Sequence, residues 1–254
     1  YPNILHNTIF VFPEGALAGV NLNKLKSFKE IFLKKYSEKH TIIMGINIEK
    51  KLENSSKIYN SMVVLDNKLN LISEYNKIKL VPFGEFLPFE NFFKKIGLKK
   101  IGYGYKSFSA GKERKSTSFG FNNFNFIPLI CYEIIYSGKI SLKSDDTNFI
   151  INISEDGWFG DSIGPHQHFS HTIFRAIEEG KNIIRSANNG ISAYIDSNGI
   201  VISKLESTKK GVIEINNHKK FNETLFSKFG NKLFFYILLF YISLIFFIKR
   251  WEDK

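Results

Sequence analysis

One cysteine, Cys131, stands in 254 residues, so the chain cannot close an internal disulfide and its thiol count fixes no redox compartment. Arginine is nearly as scarce. Only Arg114, Arg175, Arg185 and Arg250 occur among 35 basic residues, and the lysines are scattered between Asn, Ile and Phe. A phosphate-binding face gathers its basic residues and favours Arg for bidentate contacts, so the net charge of +11 does not make nucleic acid a partner. Six prolines form no Pro-rich linker. The sequence has no internal repeat and no Gly-rich phosphate loop, and no cofactor is expected.

Residues 233–248 (LFFYILLFYISLIFFI) lack charge altogether, between Lys232 and Lys249-Arg250-Trp251. As a helix the run is about 24 Å long, short of a ~30 Å hydrocarbon core. Snorkelling lysines and local thinning close that gap. A buried core helix is the alternative, but this run is apolar on every face and sits at the C-terminal end of the sequence, so a transmembrane helix is the better fit. Positive charge follows the run, which puts the C-terminus in the cytoplasm and the preceding domain outside it. The chain opens on Tyr1 rather than Met and runs at once into an apolar strand, so we expect a segment of a longer protein. Residues 1–228 are expected to form one α/β domain, and 229–254 a membrane helix with a short basic tail.

Hydrophobic content is 43%, with 26 Phe, enough for a sizeable core. Residues 8–12 read as a short strand broken by Pro13-Glu14-Gly15, which places Glu14 at its C-terminal edge. Residues 21–40 carry Phe28, Ile31, Phe32 and Tyr36 at helical spacing. Residues 41–46 read as a buried strand, and 59–65 and 70–75 flank a hairpin turn at Asp66-Asn67-Lys68. Pro82 and Pro88 constrain a loop after Lys77. In residues 89–105, aromatics alternate with Lys94, Lys95, Lys99 and Lys100; the pattern fits a solvated basic segment or a flap on anionic lipid headgroups. Residues 125–131 form an apolar run ending at the lone thiol, with Glu133 two residues on. Then come a strand at 147–153, a Gly-rich loop at 154–165 containing Trp158, and a helix at 166–180 with Phe169, Ile173, Ala176 and Ile177 on one face. Strands follow at 183–186, 192–195, 200–205 and 211–215. Strands alternating with a few helices indicate an α/β fold.

Glu14, Lys77 and Cys131 thus stand where strands or their following loops end. A cysteine closing an apolar strand is often a plain core residue, and Glu or Lys at a strand end is often just solvated. Together the three supply the parts of thiol acyl transfer. A carboxylate takes the thiol proton, the thiolate attacks a carbonyl, and a cation with a backbone N–H stabilises the oxyanion. Sequence does not show that they converge.

The segments Pro13-Glu14-Gly15, Tyr75-Asn76-Lys77 with Gly84-Glu85, and Cys131-Tyr132-Glu133 resemble the Glu-Lys-Cys signatures of the nitrilase superfamily. Leu80-Val81-Pro82-Phe83-Gly84-Glu85, Trp158-Phe159-Gly160-Asp161-Ser162 with Gly164-Pro165-His166-Gln167-His168, and Arg185-Ser186-Ala187-Asn188-Asn189-Gly190 are similar, within it, to the apolipoprotein N-acyltransferases. So is a membrane helix directly after the domain.

The resemblance implies an α-β-β-α sandwich outside a bacterial cytoplasmic membrane, on its periplasmic side, carried by upstream membrane helices. It implies that Cys131 attacks the sn-1 ester of a phospholipid donor to form a thioester. The acyl chain then passes to the α-amine of a diacylglyceryl-cysteine at an apolipoprotein N-terminus. Glu14 would be the general base and Lys77 the oxyanion stabiliser, with Glu85 orienting Lys77 or sharing proton handling. Tyr132 and Glu133 would shape the pocket behind the thiol, and Trp158 would line the acyl or headgroup site. Two departures stand out: the family's upstream membrane bundle and first domain strand are expected to precede this segment, and Glu155 occupies a position where the family often has Asn. A membrane-tethered amidase and a catalytically silent, membrane-anchored module remain the alternatives. His166, His168 and His171 are set aside as metal ligands, because no third acid or Cys comes at ligand spacing; helix-start hydrogen bonds are expected of them instead.

Overall fold

In the computed structural model the described residues are 4–53, 55–89, 107–119, 124–140, 147, 149–216 and 223–252. The layering follows from strand β2 (His40–Leu52), which is apolar on both faces over its first half. Side chains alternate across a strand. Ile42, Met44, Ile46 and Ile48 therefore pack to one side with Leu25, Val63 and Leu65. Ile43 packs to the other with Met62, Val64, Phe126 and Ile151. Burial on both faces is what a central sheet layer requires.

The first sheet has the order β1 (Thr8–Val11), β2, β3 (Ser55–Leu65), β4 (Leu71–Asn76). Strand β1 is parallel to β2, and the others are antiparallel. The turn between β3 and β4 forms where expected: Asp66 Oδ1 accepts the N–H groups of Lys68 and Asn70, and Leu69 takes the left-handed conformation.

The second sheet begins with β5 (Thr117–Phe119) and β6 (Phe124–Ile130), followed by β7 (Phe149–Glu155) and β8 (Asn182–Asn188). Strands β9 (Ser192–Ile195) and β10 (Val201–Leu205) complete it, in the order β10-β9-β8-β7-β6-β5. Strands β6, β7 and β8 run parallel, so their C-terminal ends open on one edge.

Short helices α1 (Leu22–Leu25) and α2 (Lys29–Leu33) cover the outer face of the first sheet. Helix α3 (Gly164–Glu179) covers that of the second, with Phe169 and Ala176 against Ile127, Ile150 and Ile183. The result is the α-β-β-α sandwich anticipated above.

Four expectations change. The helix at 21–40 breaks at a 3-10 turn, Lys26–Phe28, where the Ser27 hydroxyl donates to the Lys24 carbonyl, and Ile31 faces solvent. Residues 211–216 form no strand; Val212 is exposed, and only Ile215 touches the core. Part of the expected loop at 154–165 is a 3-10 turn, Asp156–Phe159, and α3 starts at Gly164. On α3, Ile177 is half out of the core and instead abuts the Gly199 turn, where a Cβ would come within 2.7 Å of it. The C-cap at Gly180 is left-handed as expected. The basic aromatic segment at 89–105 lies almost wholly outside the described residues.

Helix α4 (Leu225–Phe229) leads through Gly230 to α5 (Lys232–Glu252), a helix long and apolar enough to cross a membrane. At 21 residues it is about 31 Å long, so the polar ends lengthen the 16-residue apolar run to the hydrocarbon thickness. Its root is tied to the domain: Asn231 Nδ2 donates to the Ser137 carbonyl, and the Thr224 hydroxyl to that of Glu178.

Candidate active site

Glu14, Lys77, Glu85 and Cys131 come together between the two sheets. The chain leaves β1 through the backbone bond from Gly45 N–H to the Pro13 carbonyl, which lays Glu14 against β2. Gly45 permits this contact, because a Cβ there would sit 2.6 Å from Glu14 Cα. The Glu14 carboxylate is then fixed on both oxygens. Asn60 Nδ2 donates to Oε1 at 2.6 Å, and the Glu155 N–H donates to Oε2 at 2.8 Å.

Lys77 follows β4 directly. Its N–H donates to the Asn60 carbonyl and its own carbonyl accepts from Gly111 N–H, so the main chain is held from both sides. Its Nζ is 2.9 Å from both Glu85 oxygens and 3.8 Å from Glu14 Oε1, with the side chain 1% exposed. Glu85 is in turn held by Asn60 Nδ2 at 2.8 Å and Val81 N–H at 2.8 Å. One amide thus bridges two carboxylates, and one ammonium lies between them.

Cys131 ends the apolar run, but not on the strand. Strand β6 stops at Ile130, and Cys131 opens a 3-10 turn (Cys131–Ile135) with φ at +51°. A non-glycine residue in this region is strained and stays there only where its surroundings over-determine it. The thiol is buried, 8% exposed, within the fields of Glu14 and Lys77 and hydrogen-bonded to Ser154. The physical reason is the turn, which directs the side chain back into the inter-sheet core rather than off the strand end.

Electrostatics follow from this burial. Desolvation pushes the Cys131 thiol up to about 12, the Glu14 charge adds to that, and Lys77 and Ser154 oppose it. Desolvation also raises the Glu14 carboxyl, against Lys77 and Asn60, with Glu85 adding to the rise. For Lys77, burial favours the neutral amine, but the charges of Glu14, Cys131 and Glu85 outweigh it and the ammonium is held above its ordinary range.

Glu133 is buried and binds the parts together. Its Oε1 accepts from Tyr75 Oη at 2.7 Å, from the Ile78 and Lys79 N–H groups, and from Arg114 Nη2 at 3.2 Å. Its Oε2 accepts from Ile130 N–H at 2.9 Å. One carboxylate therefore joins the segment after Lys77 to the strand before Cys131. Tyr132 is half-buried and meets Tyr136 edge to face, with ring centroids 5.4 Å apart. Trp158 is mostly exposed, on the 3-10 turn next to Glu155. Glu155, the departure in this loop, binds the Gly157 N–H and the side-chain amides of Asn188 and Asn189, while its own N–H goes to Glu14.

Sequence reading missed Asn60, Tyr75, Arg114 and Gly45. A polar Asn60 amid an apolar strand and an isolated Gly45 inside another were the available signals. His168 differs from expectation as well. It bonds Asp156 and the Cys131 carbonyl rather than the helix start. Among the described residues no group of His, Cys, Asp and Glu is arranged to hold a metal ion.

Comparison with known proteins gives the family. The carbon-nitrogen hydrolase model matches residues 8–216. An apolipoprotein N-acyltransferase from Wigglesworthia glossinidia brevipalpis is 38% identical over 96% of this chain and 48% of its own length. One from Rickettsia prowazekii is 37% identical over 80% of this chain and 41% of its own. The chain spans less than half the length of these relatives. Among solved structures, an amidase from Nesterenkonia sp. AN1 has a TM-score of 0.52 at 12% identity, covering 78% of this chain and 76% of that one. A Xanthomonas campestris protein of the same superfamily has a TM-score of 0.54 at 13% identity, covering 80% and 75%. At such identities the structures speak for the fold alone, whereas the matched model takes in both sheets and every site residue described above: the chain belongs to the carbon-nitrogen hydrolase family, the nitrilase superfamily.

Proposed function

We propose that this chain is the acyl-transferring domain of an apolipoprotein N-acyltransferase of a bacterial cytoplasmic membrane. The observation that carries the reading is a buried Lys77 held between Glu14 and Glu85 beside a thiol on a left-handed turn. It is joined by relatives of that name along nearly the whole chain. Burying three charged side chains costs more than an apolar core would, which favours a chemical role over a passive binding module.

Glu14 takes the Cys131 proton, and the thiolate attacks the sn-1 ester carbonyl of a phospholipid. The carbonyl electrons move to oxygen, and the Lys77 ammonium stabilises that oxyanion. Collapse breaks the ester C–O bond, Glu14 returns its proton to the leaving lysophospholipid alkoxide, and a thioester remains on Cys131. The α-amine of a diacylglyceryl-cysteine then attacks the thioester and Glu14 accepts its proton; the C–S bond breaks as the amide forms, and Glu14 passes the proton to the departing Cys131 thiolate. Glu85 keeps Lys77 aimed, Glu133 and Tyr132 hold the wall behind the thiol, and Trp158 offers an apolar rim to the lipid. Residues 1–228 carry this chemistry. Residues 229–254 fix the domain to the membrane, with Lys249 and Arg250 keeping the tail in the cytoplasm and the domain on the periplasmic side.

The test is incubation of the complete membrane protein with phospholipid labelled in its sn-1 chain. Wild type should carry the label on Cys131 through a hydroxylamine-sensitive bond, and pass it to a diacylglyceryl lipopeptide. Cys131→Ala should do neither; label retained by that variant sinks the proposal. Release of the label as free fatty acid, unaffected by lipopeptide, would point to hydrolysis instead.

A further inference from the structure

Beneath the Cys131 turn lies a second group of buried charges that the reaction above leaves unused. Asp156, His168 and Arg185 come from the turn after β7, from α3 and from β8, and all three are at most 4% exposed. Arg185 Nη2 donates to Asp156 Oδ2 at 2.7 Å, and the Ser154 hydroxyl donates to Oδ1 at 2.7 Å. His168 Nδ1 lies 2.9 Å from Asp156 Oδ1 and 3.1 Å from Arg185 Nη2. Its Nε2 lies 3.2 Å from the carbonyl oxygen of Cys131. The network ends on the main chain of the residue whose thiol faces Glu14 and Lys77.

We propose that His168, seated by Asp156 and Arg185, is the positioning residue of the nucleophile: its Nε2–H holds the Cys131 carbonyl and so locks the left-handed turn that aims the thiol. The inference rests on the reading of Cys131 as nucleophile.

Three ties over-determine the strained residue. Glu133 takes the N–H just before it, Ser154 takes the thiol, and His168 takes the carbonyl. Only the third acts on the Cys131 carbonyl, which rotation about the Cys131 N–Cα bond would carry with it if the turn relaxed to a negative φ. Without His168 that carbonyl loses its side-chain donor in a buried place, and the peptide is drawn to turn toward another one.

The ring's protonation is consistent with this role. Acceptors face both nitrogens, which suits the imidazolium, but burial and the Arg185 guanidinium outweigh the help from Asp156 and hold His168 below its ordinary value of 6.5. In the neutral ring the proposal puts the one hydrogen on Nε2, toward the Cys131 carbonyl; Nδ1 then accepts from Arg185 Nη2, and Asp156 seats the ring through Arg185 rather than by a bond of its own. The network is also tightly enclosed, since a Cβ on Gly190 would meet Asp156 Oδ2 at 2.1 Å.

The experiment uses the complete protein with His168→Ala, His168→Gln and Asp156→Asn. Two rates are read at pH 8 on folded material, acyl transfer with its kcat and KM, and alkylation of Cys131 by iodoacetamide. His168→Ala is expected to lower kcat about 100-fold, as a misplacement of roughly 1 Å does, with KM for phospholipid within about twofold. Alkylation should slow about fivefold or more, because a thiol turned from Glu14 and Lys77 forms less thiolate. The Gln carboxamide places a donor near the Nε2 position and should restore most of both rates. Asp156→Asn keeps the shape and should give an intermediate loss. Unchanged kcat and alkylation in folded His168→Ala overturns the proposal. If that variant does not fold, a Gln variant no better than Asp156→Asn overturns it. Alkylation needs no acyl donor, so these outcomes stay readable even if Cys131→Ala keeps its activity and the acyltransferase reading falls.

Discussion

Gly45→Ala is the sharpest test of how the site is assembled, because it adds one methyl group and touches no charge. The new Cβ would lie 2.6 Å from Glu14 Cα, 3.1 Å from Gly15 N and 3.0 Å from Ile153 Cδ1. The Ile153 methyl can swing away, but the Glu14 contact is with backbone. Ordinary contact begins near 3.4 Å, so the end of β1 must retreat by about 0.8 Å or β2 must bend outward by as much. Overpacking of this kind costs about 1–3 kcal/mol, which a domain of this size survives. The shift falls on the Glu14 carboxylate, whose bonds to Asn60 and the Glu155 N–H are 2.6 and 2.8 Å and cannot stretch by 0.8 Å and remain bonds. A misplacement approaching 1 Å costs roughly 100-fold in rate. Stopped-time acylation of Cys131 by labelled phospholipid, scaled to the folded fraction from circular dichroism, should therefore fall between about 10- and 100-fold while the protein remains folded. Wild-type acylation in a folded Gly45→Ala would refute the reasoning, since it would mean that the base need not stand where Gly45 lets it stand.

Glu85→Gln removes the charge in bidentate contact with Lys77 and leaves Glu14 as its nearest carboxylate, 3.8 Å away. Breaking a buried pair costs about 3–5 kcal/mol, and the remaining carboxylate argues for about 3, or a fall in Tm of roughly 6–12 °C in detergent; a fall under about 2 °C would show the pair to be dispensable. The pH profile follows from the raised Glu14 carboxyl. The base form exists above that raised value and is lost as pH falls through it, so acylation should decline on an acid limb lying above the ordinary 4.5 of glutamate; a limb below 4.5 would assign proton transfer elsewhere.

How much of this was legible depended on whether chemistry was written locally. The α/β alternation was readable because β6, β7 and the buried halves of β2 and β3 are apolar runs and α3 ends on a glycine, whereas the sandwich layering came from the family resemblance. Cys131, Lys77, Glu14 and Glu85 stood out because each closes such a run or sits in a distinctive motif. The helix at 21–40 was misread because spacing alone does not show that Ser27 competes for the backbone. The strand at 211–215 was misread because an apolar alternation says nothing about whether a ladder partner is at hand. Asn60, Arg114 and His168 escaped for a tertiary reason. Their partners lie 46, 19 and 37 residues away, and no local pattern states that distance has been closed.

The balance of charge around Lys77 explains why the site needs a second carboxylate. A thiol pushed up to about 12 cannot supply useful thiolate on its own near neutral pH. With a single carboxylate, Lys77 would hold Glu14 as a tight pair and depress its basicity, widening the gap to the thiol. Glu85 takes the ammonium at 2.9 Å and leaves it 3.8 Å from Glu14, while its own charge pushes the Glu14 carboxyl further up. Asn60 donates to both carboxylates and so keeps them apart without neutralising either. Burial first, and then the Glu85 charge, leaves Glu14 a stronger base than a free glutamate, and Lys77 stays charged, as its proposed oxyanion role requires. The proposed three-residue motif is better described as five residues: Glu14, Lys77, Glu85 and Cys131 with the Asn60 amide between the two carboxylates. It follows that Asn60→Asp, which replaces the shared donor with a third acidic group, should raise the Glu14 carboxyl still further and move the acid limb of acylation to higher pH; a limb that moves down or stays put would show that Asn60 is only a spacer.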